Sequence, residues 1–156
     1  MNNVSQMSDS RLPDQIACLL VPMGSSMLLL PNETVAEVVS DLRPDEIPDQ
    51  PDWSLGEAEW RGLKIPVLAY EKMDGGNEAL PNSDSRLVVM NSVKGDKQRP
   101  FYALLSQHAP KLVRVFKDEI TEESSTDGIK HYHVTVNGEE AIIPNLEWVE
   151  EQLRAS

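Results

Sequence analysis

The sequence is poor in the features that mark exported and membrane-spanning chains. Among its 156 residues there is one cysteine, Cys18, which excludes an internal disulfide and so the class of disulfide-stapled secreted scaffolds. The longest apolar runs, at residues 16–21 and 27–30, are far below the ~20 residues that cross a bilayer. Residues 1–14 are polar and lack an apolar stretch of signal-peptide length. We therefore expect a cytoplasmic protein without direct membrane insertion, with a disordered polar tail over residues 1–14.

Positive charge is scarce as well. The chain has 14 lysines and arginines against 26 aspartates and glutamates, which gives a formal net charge of −12. An anionic protein repels polyanions, so this balance excludes nucleic acid as a partner. The charge is unevenly spread, since residues 86–117 carry seven bases and one acid while the rest of the chain is strongly acidic. Two interpretations stay open. The basic and acidic segments neutralise each other's charge within the fold, or they present faces of opposite charge to partners.

Known catalytic motifs are absent from the sequence, which has no Gly-x-Gly-x-x-Gly, phosphate-binding loop, His-Glu-x-x-His or Gly-x-Ser-x-Gly pattern. His108, His131 and His133 could form a zinc site, although no acidic or cysteine ligand lies at matching spacing. The seven acids of residues 41–59 could supply the carboxylate pair of a glycoside hydrolase, although clustered loop acids are typical of a solvated surface. We expect no catalytic residue, metal or cofactor, and a small hydrolase is the third hypothesis for function.

Short apolar runs about ten residues apart, bounded by glycine or proline, predict the β-strands of a barrel or sandwich. Asn137-Gly138 lies between two such runs and predicts a hairpin, because both residues of a tight turn take positive φ. Asn145 precedes an amphipathic segment that predicts a C-terminal helix. Asn32 either caps a short helical turn or precedes a valine-rich strand. Residues 73–85 have the composition of a loop, and we predict that they join two lobes. The predicted strands cover residues 16–21, 27–30, 63–70, 86–90, 101–105, 111–116, 131–136 and 141–143.

Three segments follow one another in a characteristic order and spacing. Residues 34–39 read TVAEVV, residues 50–56 read QPDWSLG, and residues 61–67 read RGLKIPV. Each segment is short, but their joint occurrence over about fifty residues is specific. Together they resemble the signature of the CheW family, the coupling proteins of bacterial chemosensory arrays.

Two departures from the family pattern suggest a divergent, accessory-type member. Glu59 stands where asparagine is usual, and Ala69-Tyr70 stands where Asp-Leu is usual. Flagellar and pilus-type motility pathways both stay open, and these departures favour the pilus type.

The resemblance implies a fold, partners and contact residues. The fold is mainly β: two small five-stranded SH3-like β-barrel lobes with short helices, including a C-terminal helix, in a single domain over residues 15–154. The implied function is that of a non-catalytic adaptor, without cofactor. It binds the regulatory domain of a CheA-type histidine kinase and the cytoplasmic tip of a methyl-accepting chemoreceptor. Matched position by position, the partner-binding residues are Val35, Glu37, Val38, Arg61 and Gly62.

Alternatives remain for these residues and for the function. Gly62 permits a turn with positive φ, and Arg61 beside it either presents its donors to a partner or forms an internal ion pair with the acidic loop. Val35 and Val38 either face a partner or pack in the core. A protein-interaction module of another cytoplasmic pathway is the second hypothesis for function, since a fold does not determine its partner.

Overall fold

A computed structural model describes the chain in five stretches. The predicted tail at residues 1–14 and Asn137 of the predicted hairpin lie outside them. The described residues are 15–73, 75–76, 81–116, 131–136 and 138–155.

The described residues form ten strands and three short helices. The strands include the predicted apolar runs except residues 69 and 70, because the predicted strand 63–70 ends at Leu68 and a helix begins at Tyr70. The strand Ser54–Trp60 was not predicted, since its alternating acids have the composition of a loop. A 3₁₀ turn occupies Asn32–Thr34 and a strand follows it directly, so both interpretations of the segment after Asn32 hold in part. Helix α1 is Tyr70–Met73 and helix α2 is Leu146–Ala155. Asn145 caps α2, since its side-chain oxygen accepts a hydrogen bond from a backbone N–H in the first turn. The strands are β1 (Gln15–Pro22), β2 (Met27–Pro31), β3 (Val35–Val39), β4 (Ser54–Trp60), β5 (Leu63–Leu68), β6 (Arg86–Asn91), β7 (Phe101–Ser106), β8 (Lys111–Phe116), β9 (His131–Val136) and β10 (Glu139–Pro144).

Two five-stranded sheets form two lobes, which confirms the predicted fold class. The first lobe has the strand order β8-β1-β2-β10-β9, and the second lobe has the order β3-β6-β7-β5-β4. The prediction that residues 73–85 join the lobes is wrong, because this segment connects β5 to β6 within the second lobe. Loop composition shows that the chain leaves a strand, but it carries no information about the sheet that the next strand joins.

Strands such as β6 are buried on both faces, because each lobe has its own core and the two lobes also pack against each other. In β6, Leu87 and Val89 pack inside the second lobe, whereas Val88 and Met90 belong to the core between the lobes. Consecutive side chains of a strand point to opposite faces, so burial of both faces requires an unbroken apolar run. The core between the lobes includes Leu19, Val21, Leu28 and Leu30 from the first lobe and Leu68, Tyr102 and Leu104 from the second.

Buried glutamates also connect the lobes, and the first of them is Glu71 on α1. Its carboxylate accepts hydrogen bonds from the Ser25 N–H at 2.9 Å and from the hydroxyls of Ser25 and Ser26 at 2.8 and 3.2 Å. These donors lie in the β1–β2 turn of the first lobe. A Cβ atom at Gly24 would come within 2.6 Å of Glu71 Oε1, so the glycine lets the turn approach the carboxylate.

The second buried glutamate is Glu150 on α2. This helix follows the last strand of the first lobe, and Glu150 accepts hydrogen bonds from residues of the second lobe. Its carboxylate accepts hydrogen bonds from the Ser92 hydroxyl and the Val93 N–H, both at 2.8 Å, and from the Lys94 N–H at 3.2 Å. The Tyr102 hydroxyl donates to it at 3.3 Å. Glu150 is only 6% exposed, so its carboxylate needs such donors to replace water. The C-terminal helix therefore holds the segment that follows β6 of the second lobe.

Candidate protein-interaction site

A two-residue turn of Arg61 and Gly62 joins β4 to β5, and Trp60 pairs with Leu63 across it. Both turn residues have positive φ, +50° at Arg61 and +79° at Gly62. This backbone conformation matches the right-handed twist of the flanking strands, and glycine adopts it without steric cost. The positive φ expected at Gly62 is therefore present, and Arg61 shares it. The turn leaves the Arg61 side chain 69% exposed.

The Arg61 guanidinium lies in a small polar and aromatic cluster. Its Nη2 atom is 3.2 Å from Glu37 Oε1, and its Cζ atom lies 5.0 Å from the centre of the Trp60 ring. The Trp60 indole N–H donates to the same Glu37 oxygen at 2.9 Å. The Trp60 ring in turn contacts Phe101 edge-on, with 4.9 Å between ring centres. One glutamate oxygen and one indole therefore hold the guanidinium from two sides.

This cluster joins the two edges of the second sheet. Strands β3 and β4 stand at opposite ends of the order β3-β6-β7-β5-β4. The contacts of Glu37 with Trp60 and Arg61 connect these edges where β4 turns into β5, and so contribute to closing the barrel. The structure thus brings together two residues matched to the family motif that are 24 positions apart in the chain.

The ion pair of Arg61 is internal, but its partner is not the acidic loop. The carboxylate belongs to Glu37 on β3, and the two side chains are 69% and 42% exposed. An ion pair at such exposure contributes about 0.2–1 kcal/mol to stability. Within the described part of the chain Arg61 makes this one side-chain hydrogen bond, so most of its five N–H donors are open to solvent.

The two valines of the family motif have different surroundings. Val35 is half-buried and packs against the core between the lobes, as the core alternative expected. Val38 is 38% exposed, and it lies on β3, an edge strand of the second sheet. Gly62 is also exposed, and a Cβ there would meet no atom within 4 Å. Val38, Arg61 and Gly62 are therefore accessible to a partner, and Val35 supports the strand from the inside.

The acidic loop between β3 and β4 runs along the β4 edge. Backbone hydrogen bonds of 2.7 and 3.0 Å pair Asp45 with Glu57. The loop lines an open cavity of about 420 Å³, and its acids Asp41, Asp45, Glu46, Asp49 and Asp52 are exposed. Exposed carboxylates of this kind are solvated, which matches the interpretation of the loop as a polar surface.

Within the part of the chain that the structure describes, one salt bridge, Lys94–Glu151, involves the basic segment. The fold also divides this segment, because β6 and β7 belong to the second lobe and β8 to the first. The salt bridges of the described residues are Arg61–Glu37, Lys72–Asp52 and Lys94–Glu151.

The described residues contain no group of three or more metal-ligating side chains. The side chain of His131, one of the three histidines considered for zinc, lies outside them. Cys18 is buried in the first lobe, and burial raises the pKa of its thiol. A protonated thiol is a poor nucleophile. None of the helices described is long and apolar enough to cross a membrane.

Comparison with known proteins bears directly on this site. A model of the CheW-like domain matches residues 17–151. This chain belongs to the CheW-like family. The crystal structure of the scaffolding protein TtCheW from Thermoanaerobacter tengcongensis has the same fold, with a TM-score of 0.70 over 83% of this chain and 88% of that chain, at 20% sequence identity. No curated protein matches the chain. CheW-like proteins are non-catalytic scaffolds of chemotaxis signalling, which couple receptors to kinases.

In the cluster of Glu37, Trp60 and Arg61, Trp60 is the residue that the sequence did not predict as part of the site. Its place at the end of a strand, directly before Arg61, was the available signal. Its indole N–H reaches Glu37 because the second lobe closes into a barrel, and no local pattern encodes that closure. Glu150 was missed for a similar reason, since a glutamate on an amphipathic helix is usually solvated.

Proposed function

We propose that this CheW-like chain acts in the cytoplasm as an adaptor between the cytoplasmic tip of a methyl-accepting chemoreceptor and the regulatory domain of a CheA-type histidine kinase. The family assignment supports the scaffold role. The observation that carries the finer proposal is the cluster of Glu37, Trp60 and Arg61, which unites two motif residues at an exposed end of the second lobe. The proposed partner-binding residues are Val35, Glu37, Val38, Arg61 and Gly62.

The proposed contact depends on the preorganised guanidinium of Arg61. Because Glu37 and the Trp60 ring already restrict its side chain, less conformational entropy is lost when a partner binds. The planar guanidinium can donate two parallel hydrogen bonds to a carboxylate of the partner. Val38 adds exposed apolar area on the same edge strand as Glu37.

For the pathway, we propose an accessory role in pilus-type motility. Glu59 is an exposed carboxylate two residues before Arg61, so it changes the charge that a partner meets at this turn. Ala69 and Tyr70, the other departure from the family pattern, are buried, and Tyr70 belongs to the core between the lobes. Co-purification from the native cell tests this assignment, because recovery of flagellar receptors alone would contradict it.

The change Arg61→Glu tests the proposed contact. It removes the guanidinium donors and places a carboxylate beside Glu37, so binding should weaken by about 2–5 kcal/mol, or some 30- to 1,000-fold and more. Stability should fall by only about 1 kcal/mol, since the lost ion pair is exposed. For a chain of this size that is a fall in Tm of about 2–4 °C. The measurements are thermal unfolding and titration with the kinase regulatory domain and the receptor tip.

Arg43→Glu is a matched control for this experiment. Arg43 is exposed, lies beyond the opposite end of β3, and donates to the backbone oxygen of Asn82. The control makes the same change in charge, so it should bind both partners like the wild type. Equal binding by wild type and Arg61→Glu would remove Arg61 from the site, and a collapsed Tm would make its role structural.

A further inference from the structure

The two buried glutamates between the lobes differ in how their oxygens are hydrogen-bonded. Each oxygen of the Glu150 carboxylate accepts two hydrogen bonds. The three hydrogen bonds of Glu71 all fall on Oε2, whereas Oε1 is shielded from solvent and has no hydrogen-bond partner within the described residues. A buried carboxylate oxygen without a donor loses its hydration and gains no hydrogen bond in return. Contact with water would therefore stabilise the Glu71 carboxylate more than that of Glu150.

The donors of the two carboxylates also differ in their access to water. Ser25 is exposed and Ser26 is half-buried, so water can replace their hydroxyls as donors to Glu71. The donors to Glu150 include the hydroxyl of Tyr102, which is only 1% exposed and belongs to the core between the lobes. Loss of that hydrogen bond would require the core itself to move. The Glu71 contact can therefore open at a lower cost in free energy than the Glu150 contact.

The elements that carry the Glu71 contact are short. Helix α1 has four residues, and a single helical turn has little stability of its own. The opposite element is the β1–β2 turn at residues 23–26. Directly before this turn, the Pro22 oxygen accepts a hydrogen bond from the Gln107 N–H of the second lobe at 2.9 Å. Because that bond lies outside the turn, residues 23–26 can move away from Glu71 while Pro22 stays attached to the second lobe.

Two methionines lie at this contact. Met23 belongs to the turn and Met73 ends α1, and each is 8% exposed and packs in the core between the lobes. Met90 on β6 belongs to the same core and is fully buried. If the turn moves away from α1, Met23 and Met73 gain access to solvent while Met90 stays covered.

We propose that the contact between Glu71 and residues 23–26, the Glu71 latch, opens in the folded protein while the Glu150 contact stays closed. Opening of the latch releases one end of the core between the lobes and exposes Met23 and Met73. The lobes remain joined by Glu150 and by the rest of that core. The chain thus has one fixed and one releasable attachment between its lobes. The latch lies within the chain itself and does not depend on the proposed partners.

Oxidation by hydrogen peroxide tests the latch, because peroxide converts accessible methionine to its sulfoxide. Mass spectrometry of the full chain gives the initial rates for Met23, Met73 and Met90. In the wild type we expect Met23 and Met73 to react at least about tenfold faster than Met90, since local opening needs less free energy than global unfolding. Equal rates for the three methionines would overturn the latch.

Ser25→Ala and Ser92→Ala form a matched pair of variants, since each removes one hydroxyl donor from a buried glutamate. Ser25→Ala leaves Glu71 with two donors on one oxygen, and Ser92→Ala leaves Glu150 with three donors on both oxygens. A lost hydrogen bond to a charged group should make Ser25→Ala speed the oxidation of both latch methionines about tenfold. Ser92→Ala should leave these rates within about twofold of the wild type. No change in Ser25→Ala, or an equal change in both variants, would contradict the proposal.

Gly24→Ala opens the latch by a different route. A Cβ atom at Gly24 would lie 2.6 Å from Glu71 Oε1, and apart from the chain neighbours of the glycine it would contact the Glu71 carboxyl group alone. The variant therefore displaces the carboxylate without straining the backbone, and oxidation of Met23 should again rise about tenfold. Met90 should stay within about twofold of its wild-type rate in both Gly24→Ala and Ser25→Ala. If Met90 rises as much as Met23 in both variants, the whole protein unfolds and the latch is wrong.

Discussion

At the scale of single residues, the structure explains why the second segment of the family motif, residues 50–56, ends on glycine at Gly56. Its φ is +104°, and a Cβ atom at this position would overlap the carbonyl oxygen of Asp45. Asp45 and Glu57 exchange backbone hydrogen bonds at this point, so the acidic loop crosses directly over the Gly56 backbone. Any side chain would both strain the backbone and push the loop away from β4.

The change Gly56→Ala should therefore destabilise the protein severely. We expect the free energy of unfolding to fall by about 3 kcal/mol, because backbone strain adds to displacement of the loop. Urea titration followed by circular dichroism measures this change. Gly62→Ala is the control, since φ is also positive there but the space around a Cβ is open, so it should cost about 1 kcal/mol. Equal costs for both changes would show that the approach of the loop contributes nothing.

At the scale of elements, helix α2 is attached to the second lobe through Glu150 and Tyr102. Burial raises the pKa of the Tyr102 phenol above its usual value near 10, and the charge of Glu150 and the hydrogen bond between the two side chains raise it further. The phenol therefore keeps its proton in the folded protein at a pH where it loses the proton in the unfolded chain.

This difference predicts a loss of stability in alkali. Above about pH 10 the unfolded chain binds fewer protons than the folded one at Tyr102, so the free energy of unfolding falls as pH rises, by about 1.4 kcal/mol per unit for this group. Tyr102→Phe removes that contribution. Urea titrations of both proteins from about pH 8 to about pH 11 should show a constant difference in the free energy of unfolding below about pH 9. Above about pH 10 the wild type should lose stability relative to the Tyr102→Phe variant. Parallel curves throughout the range would contradict the assignment.

At the scale of the whole molecule, the fold divides the basic segment between two lobes. Lys97 and Arg99 lie in a loop of the second lobe, whereas Lys111 and Arg114 lie on β8 of the first. A run that is continuous in sequence thus does not form one continuous basic face. The net charge of −12 opposes binding of polyanions to either part.

We therefore expect the protein not to retain duplex DNA at about 0.15 M salt, since electrostatic attraction supplies most non-specific binding. Fluorescence anisotropy with a labelled duplex measures this, and the variant Lys97→Glu with Arg99→Glu is a suitable comparison. Micromolar binding that weakens steeply with salt and is lost in that variant would contradict the expectation.

The sequence by itself determined the local structure of this protein. The positions of eight of the ten described strands followed from apolar runs, the cap of α2 from Asn145, and the positive φ at Gly62 from the absence of a side chain. The family followed from three short motifs in order. These properties depend on backbone preferences and side-chain order over a few residues, so they can be recognised without knowing the neighbouring strands.

The tertiary structure alone decided which distant segments meet. Residues 73–85 return the chain to the same sheet, Arg61 pairs with Glu37 instead of the acidic loop, and Glu150 is buried against Ser92. Each of these contacts arises because a barrel closes or because two lobes pack together. The free energy of closure and packing comes from many side chains that are far apart in the chain, so no single segment of sequence encodes it.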